Sequence, residues 1–138
     1  MGHKQVWTAV AAAAVLALTS VPAHAASTTI TTSCADGEYT GKFVLRYDTV
    51  SGLHSVLDGR GGAGPYIGDS GTMRVRVSYR QGLTERAVFD KTRDGLWAGF
   101  DHPVDFPAGT RVPADGTASV RVWFSAGEFG CTAERRIR

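Results

Sequence analysis

Asparagine is absent from the 138 residues, which excludes an Asn-x-Ser/Thr glycosylation site. Cysteine is scarce: Cys34 and Cys131 are the only two, far apart in the chain, and no Cys-x-x-Cys pair exists to hold zinc or cycle electrons. An excess of one charge is lacking as well. Lys4 is the only charged side chain before Ala26, so beyond that point 15 basic residues become 14 against 13 acidic ones. A near-neutral balance of that kind excludes the clustered basic footprint of a nucleic-acid-binding protein. After Leu18 no apolar run approaches the roughly 20 residues that a membrane-spanning helix needs, so no membrane insertion is expected. Helical periodicity is also missing from the rest of the chain.

The residues present say more about place and build than about chemistry. Lys4 precedes an almost unbroken Ala, Val and Leu stretch from Val6 to Leu18, followed by Pro22 and Ala23-His24-Ala25. That order is a secretory signal with a small-x-small cleavage site, so residues 1–25 are expected to be removed and the protein to be secreted and extracellular. Removing 25 residues from 138 leaves 113, enough for one domain at 26–138 and too few for two. The heavy preference for Arg over Lys, with abundant Ala and Gly, fits a bacterial genome rich in G and C. In an oxidising compartment the two cysteines read as one structural disulfide, Cys34–Cys131. Closing a loop of roughly 100 residues is worth up to about 4.7 kcal/mol through the entropy of the unfolded chain.

Short alternating runs, cut by Gly, Pro and Asp, predict an all-β chain of about seven to nine short strands. An antiparallel two-sheet sandwich is the expected architecture, with a small barrel as the alternative. Within Tyr39 to Tyr47, Tyr39, Gly41, Phe43, Leu45 and Tyr47 share one face. Within Thr72 to Arg80, Met73, Val75, Val77 and Tyr79 face inward while Arg74, Arg76, Ser78 and Arg80 face water. Ala118, Val120, Val122 and Phe124 form the apolar face of Thr117 to Phe124. Further strands are expected at Ser27 to Ser33, Arg86 to Arg93, Leu96 to Phe100 and Cys131 to Ile137, the last lying near the first strand. Asp94-Gly95 is expected to close a type I′ hairpin, and Asp115-Gly116 a second turn. Asp58 to Gly71 reads as a flexible glycine loop. His102 to Asp115, with Pro103, Pro107 and Pro113, reads as a stiffer loop that can hold a short edge strand.

Three motifs invite catalytic or cofactor readings. Gly68-Asp69-Ser70-Gly71 resembles the active-site serine motif of chymotrypsin-like proteases. The candidate base, His54, lacks the Ala-Ala-His-Cys setting of that family, and Thr72 stands where the family continues with glycine. A turn before a strand is the better reading. Gly59-x-Gly61-x-x-Gly64 matches the dinucleotide fingerprint as a string, but no helix follows to receive a pyrophosphate, so no cofactor is expected. Asp101, His102 and Asp105 are too few for a metal site, and His102 is expected to be solvated. Glu38, Glu85, Glu128 and Glu134 give no reason to choose a catalytic pair.

The aromatic placement is the sharper signal. Alternation puts Leu96, Ala98 and Phe100 on one face and Trp97 on the other. It likewise sets Trp123 beside Ser119 and Arg121, opposite the core set. Exposed indoles flanked by arginine suit a surface that meets sugar rings or a protein partner. The expected function is therefore a secreted non-enzymatic binding module for carbohydrate or cell-wall surfaces, with Trp97, Trp123 and Arg121 as binding residues. The alternative is a protein-binding or protease-inhibitor-like domain that presents Arg60 and Tyr66 from the glycine loop. Its partner would be a glycan, a wall polymer or an extracellular protein, met by a monomer. Intact-mass measurement of the exported protein should show loss of residues 1–25 and a gain of two hydrogens on reduction. A full-length mass, or none gained, would refute the signal or the bridge respectively.

Overall fold

The structure, a computed structural model, describes residues 26–65 and 70–138. The signal segment, Tyr66, and Gly68 and Asp69 of the serine motif lie outside the described residues. Nine strands run in chain order: β1 (Thr28–Asp36), β2 (Tyr39–Val50), β3 (Leu53–Gly64), β4 (Gly71–Gln81), β5 (Thr84–Leu96), β6 (Gly99–Val104), β7 (Arg111–Pro113), β8 (Ala118–Ala126) and β9 (Phe129–Arg136). They form two antiparallel sheets, β1-β2-β3-β6 with β7 also on β3, and β5-β4-β8-β9. The chain is a sandwich, not a closed barrel. No described residue is helical, and no helix is long and apolar enough to cross a membrane.

Alternation decides which faces meet. Tyr39, Phe43, Leu45 and Tyr47 of β2, Met73, Val75 and Val77 of β4, and Val120, Val122 and Phe124 of β8 are all buried between the sheets. These are the inward sets expected from the period-2 pattern. Hairpins of two residues join β1–β2, β2–β3, β4–β5 and β8–β9. At the β2–β3 turn both central residues, Ser51 and Gly52, have positive φ (53° and 77°), the type I′ form whose twist matches the flanking strands. The edges of the two sheets are clipped by Cys34 of β1 and Cys131 of β9, with Cα atoms 5.7 Å apart. Arg135 adds a hydrogen bond across the same seam, its Nη1 donating to the Thr31 carbonyl at 2.7 Å. The last strand thus lies beside the first without entering its ladder.

Asp94-Gly95 does not close a hairpin. β5 runs through it, because Leu96 still pairs with Gly71 while Arg93 pairs with Met73. Two residues then oppose Thr72 alone, and Gly95, at φ +66°, supplies the left-handed backbone of a bulge. The same dihedral serves a turn or a bulge, and β4 continues as partner for β5, so the ladder wins. Leu96 to Phe100 is accordingly no strand beside β5; the chain crosses there to the other sheet. In that sheet β6 pairs with β3, Gly61 facing His102 and Gly59 facing Val104.

Asp58 to Gly64 is likewise not a loop but the second half of β3. Its glycines are demanded by contact rather than by flexibility. A Cβ at Gly59 would stand 2.6 Å from Phe43 Cζ, and one at Gly61 2.5 Å from the Lys42 carbonyl oxygen. At Gly62 it would run into the carbonyl of Gly99 on β6. Between His102 and Asp115 the expected short edge strand does form, as β7 on β3. Gly62→Ala should therefore cost more than about 3 kcal/mol, since backbone must move. Gly37→Ala, at a turn open to solvent, should cost only about 1 kcal/mol for its positive φ. Urea unfolding of the two variants checks the order; equal losses would mean that β3 does not approach β6 this closely.

Candidate functional site

The outward residues of β4, β8 and β9 build a polar face on the second sheet. Register places Glu134, Arg121, Arg76 and Asp90 in one row across β9, β8, β4 and β5. Arg121 donates to Glu134 Oε2 from Nε and Nη2, at 3.1 and 3.0 Å. Arg74 grips Asp90 with both oxygens engaged, at 2.8 and 2.7 Å. Between these pairs stands half-buried Trp123, with the guanidinium carbon of Arg74 4.9 Å and that of Arg121 5.7 Å from its ring centre. Planar guanidinium on indole combines cation–π attraction with stacking, so both side chains are held in place. The Arg74 hydrogen bonds hold the Asp90 carboxyl below its usual range.

One row further along, the side chains shorten. Arg136 of β9 faces Ser119 of β8, which faces Ser78 of β4. Here the surface dips into a groove of about 630 Å³, floored by Ser78, Ser119 and Thr117 and walled by Arg80, Arg121 and Arg136. Ser78 donates its hydroxyl to Glu85 Oε1 at 2.7 Å, and that bond, with Arg76, Arg121 and Arg80 nearby, keeps the Glu85 carboxyl low. A glycosidase general acid needs its pKa raised, so Glu85 is tuned the wrong way for that role.

Trp97 sits apart from Trp123. It lies beyond the end of β5 in the crossing to β6, and at 67% exposure it is the most open aromatic among the described residues. His102 fixes it from below, donating Nε2–H to the Trp97 carbonyl at 2.9 Å, with ring centres 4.3 Å apart edge to face. His102 is therefore not solvated but buried, at 2% exposure. The cause is the bare backbone opposite: His102 pairs with Gly61 and lies against Gly62, which leaves room for the imidazole. Of Leu96, Ala98 and Phe100, expected on the apolar face opposite Trp97, only Leu96 is buried, while Ala98 and Phe100 are exposed. Arg60 is exposed but lies in β3, paired with Val44 on one side and Pro103 on the other, rather than in a projecting loop.

The serine-protease reading finds no geometry. Ser70 precedes β4 at the end of the sandwich that carries Ala63 and the disulfide, whereas His54 lies at the opposite end beside β7. No group of three His, Cys, Asp or Glu side chains among the described residues is placed to hold a metal. His54 is buried against Tyr47, its Nδ1 2.7 Å from the Thr49 hydroxyl and its Nε2 without a hydrogen-bond partner among the described residues. No family model matches the chain, and neither a curated protein nor a solved structure does.

Alternation alone places Arg74, Arg76 and Arg80 on the wet face of β4, and Arg121 with Trp123 on that of β8; Ser78, expected in water by the same pattern, is buried at 4% exposure, its hydroxyl on Glu85. Arg136, which completes the groove, carries no such signal, because its position depends on the β8–β9 register.

Burial holds the His54 imidazole below its ordinary 6.5, with Asp115 opposing only in part. Below about pH 6.5 the unfolded chain thus binds a proton that the fold resists, so stability falls as pH drops through that value. Urea unfolding between about pH 8 and about pH 5 should show this loss, and His54→Gln should flatten that part of the slope. An unchanged slope in the variant would place the loss elsewhere.

Proposed function

We propose that the protein is a secreted, non-enzymatic binding module whose ligand is a glycan or cell-wall polymer laid across the outer face of the second sheet. The observation that carries this reading is Trp123 held between Arg74 and Arg121, each of them tied to a carboxylate on a neighbouring strand. A polymer rich in hydroxyls needs many polar contacts from side chains already in place, since ordering free side chains on binding costs about 0.5–1.5 kcal/mol each. Here the order exists beforehand. Trp97, open and backed by His102, offers a second contact at the same end of the sheet as the start of β4. The disulfide is compatible with an extracellular setting.

The alternative, a protease-inhibitor-like domain presenting Arg60, draws less support from a side chain set flat within a paired strand. A general protein-binding role keeps one observation in its favour: Leu83, at the tip of the β4–β5 turn, is wholly exposed.

Co-sedimentation with insoluble cellulose, chitin and peptidoglycan tests the proposal. The mature domain should pellet with at least one of them. Trp123→Ala and Trp97→Ala should each weaken pelleting about tenfold while the folded fraction stays unchanged. Absence of pelleting on all three, with a protein captured from culture fluid, would transfer the function to the protein-binding reading.

A further inference from the structure

The groove beside the indole differs from the rest of the face in what its arginines do. Four arginines line it, Arg80, Arg121, Arg135 and Arg136, against two carboxylates, Glu85 and Glu134. Arg121 is spent on Glu134, and Arg135 donates to the Thr31 carbonyl. The guanidiniums of Arg80 and Arg136 make no ion pair or hydrogen bond among the described residues, although Arg80 stands opposite Glu85, whose carboxylate accepts from Ser78. They approach from opposite sides. Arg136 stands on β9 and Arg80 on β4, two strand spacings apart, or about 10 Å between backbones. Between them the floor is only as tall as a serine, so two long side chains can converge on a group resting there. The Ser119 hydroxyl, at the centre of that floor, also has no partner among the described residues, whereas Ser78 and Thr117 donate theirs to Glu85 and Asp115.

With Arg135 turned to the other sheet, three arginines and two carboxylates face the dip, and two guanidiniums without an ion pair plus one free hydroxyl leave more donors than acceptors there. Every polar group left over there wants an oxyanion, and a neutral sugar hydroxyl would satisfy it poorly. We propose that this groove is an anion subsite that takes a carboxylate or phosphate group of an acidic polymer. Arg80 and Arg136 clamp the oxyanion and Ser119 donates to it. Arg74, Arg121 and Trp123 carry the neighbouring part of the chain. The anion chemistry stands on the groove alone; its attachment to a polymer rests on the function proposed above.

Binding of the mature domain to polygalacturonate, polyphosphate, neutral dextran and inorganic phosphate, followed by amide NMR shifts and titration calorimetry, separates the two claims. The acidic polymers should bind and weaken steeply with added salt, since the contacts are exposed charges. Arg80→Ala and Arg136→Ala should each reduce that binding about tenfold, with shifts centred on Gly116, Thr117 and Ser119. Arg136→Lys should recover only part, because an ammonium keeps charge but not the two-pronged grip. Preference for polygalacturonate identifies a carboxylate ligand, and preference for polyphosphate a phosphate one; either supports the subsite. Dextran bound as tightly as polygalacturonate, or acidic polymers bound undiminished by both alanine variants, would overturn the subsite and leave the glycan-binding function standing. Inorganic phosphate shifting the groove amides in wild type alone, with no polymer bound, would support the subsite and overturn the polymer reading. No response to any of the four would overturn both.

Discussion

The sandwich depends on one close approach, where the ring of Phe124 on β8 occupies the space that a side chain at position 41 of β2 would fill. The two sheets meet there with an aromatic ring on bare backbone. Register ties this contact to the covalent link: Gly41 pairs with Cys34 and Phe124 pairs with Cys131. The disulfide therefore bridges the sheets directly beside this close approach. The bond limits the unfolded chain, and the contact sets the separation in the folded one. Phe43 extends the same logic within the first sheet by lying on Gly59, and β6 reaches β3 only because Gly62 offers no side chain against Gly99. Large rings facing glycine are one way to fill a thin core without voids or strain.

That inner arrangement dictates the outer one. Once Met73, Val75 and Val77 point inward, Arg74 and Arg76 must point outward, and Trp123 must follow them because Val122 and Phe124 are buried. β8 lies between β4 and β9, so an outward side chain on it has neighbours on both flanks. The central row carries carboxylates at its two ends and arginines between them, Glu134, Arg121, Arg76 and Asp90, which lets guanidiniums and carboxylates lock one another in place. Exposed pairs of this kind add little stability singly, about 0–1 kcal/mol. Their larger effect is to fix the side chains around the indole.

The fold is largely legible in the sequence, and the misses share one cause. The inward faces of β2, β4 and β8 follow from period-2 alternation, and the disulfide from an isolated cysteine pair. Asp58 to Gly64 reads wrongly as a loop because glycine looks the same in a flexible loop and in a strand pressed by Phe43; only the tertiary contact separates the two. Asp94-Gly95 reads wrongly as a hairpin because a positive φ serves a turn or a bulge equally well, and β4's continued pairing decides between them. His102 looks solvated because Gly61 and Gly62, which make room for its ring, lie some forty residues earlier. For the candidate site, the outward placement of Arg121 and Trp123 is readable from one strand. The placement of Arg80 and Arg136 along one groove is not, since it needs the pairing of three.

The division between paired and unpaired arginines gives the face its character. Arg74 and Arg121 are held by carboxylate and indole together, so they present a fixed surface whose charge is mostly neutralised. Arg80, opposite Glu85, and Arg136, opposite Ser119, make no ion pair among the described residues. A surface made only of the first kind would be rigid and weakly attractive; one made only of the second would attract any anion and order none. For the polymer ligand proposed above, the fixed pair would supply shape at little entropic cost and the pair without ion pairs would supply attraction. The separation follows from sequence through register alone. Glu134 stands opposite Arg121, whereas the next outward residue on β9 is Arg136, which stands opposite a serine. Arg80 stands opposite a carboxylate, Glu85, but that group accepts from Ser78 and lies within reach of Arg76, so Arg80 forms no ion pair with it among the described residues.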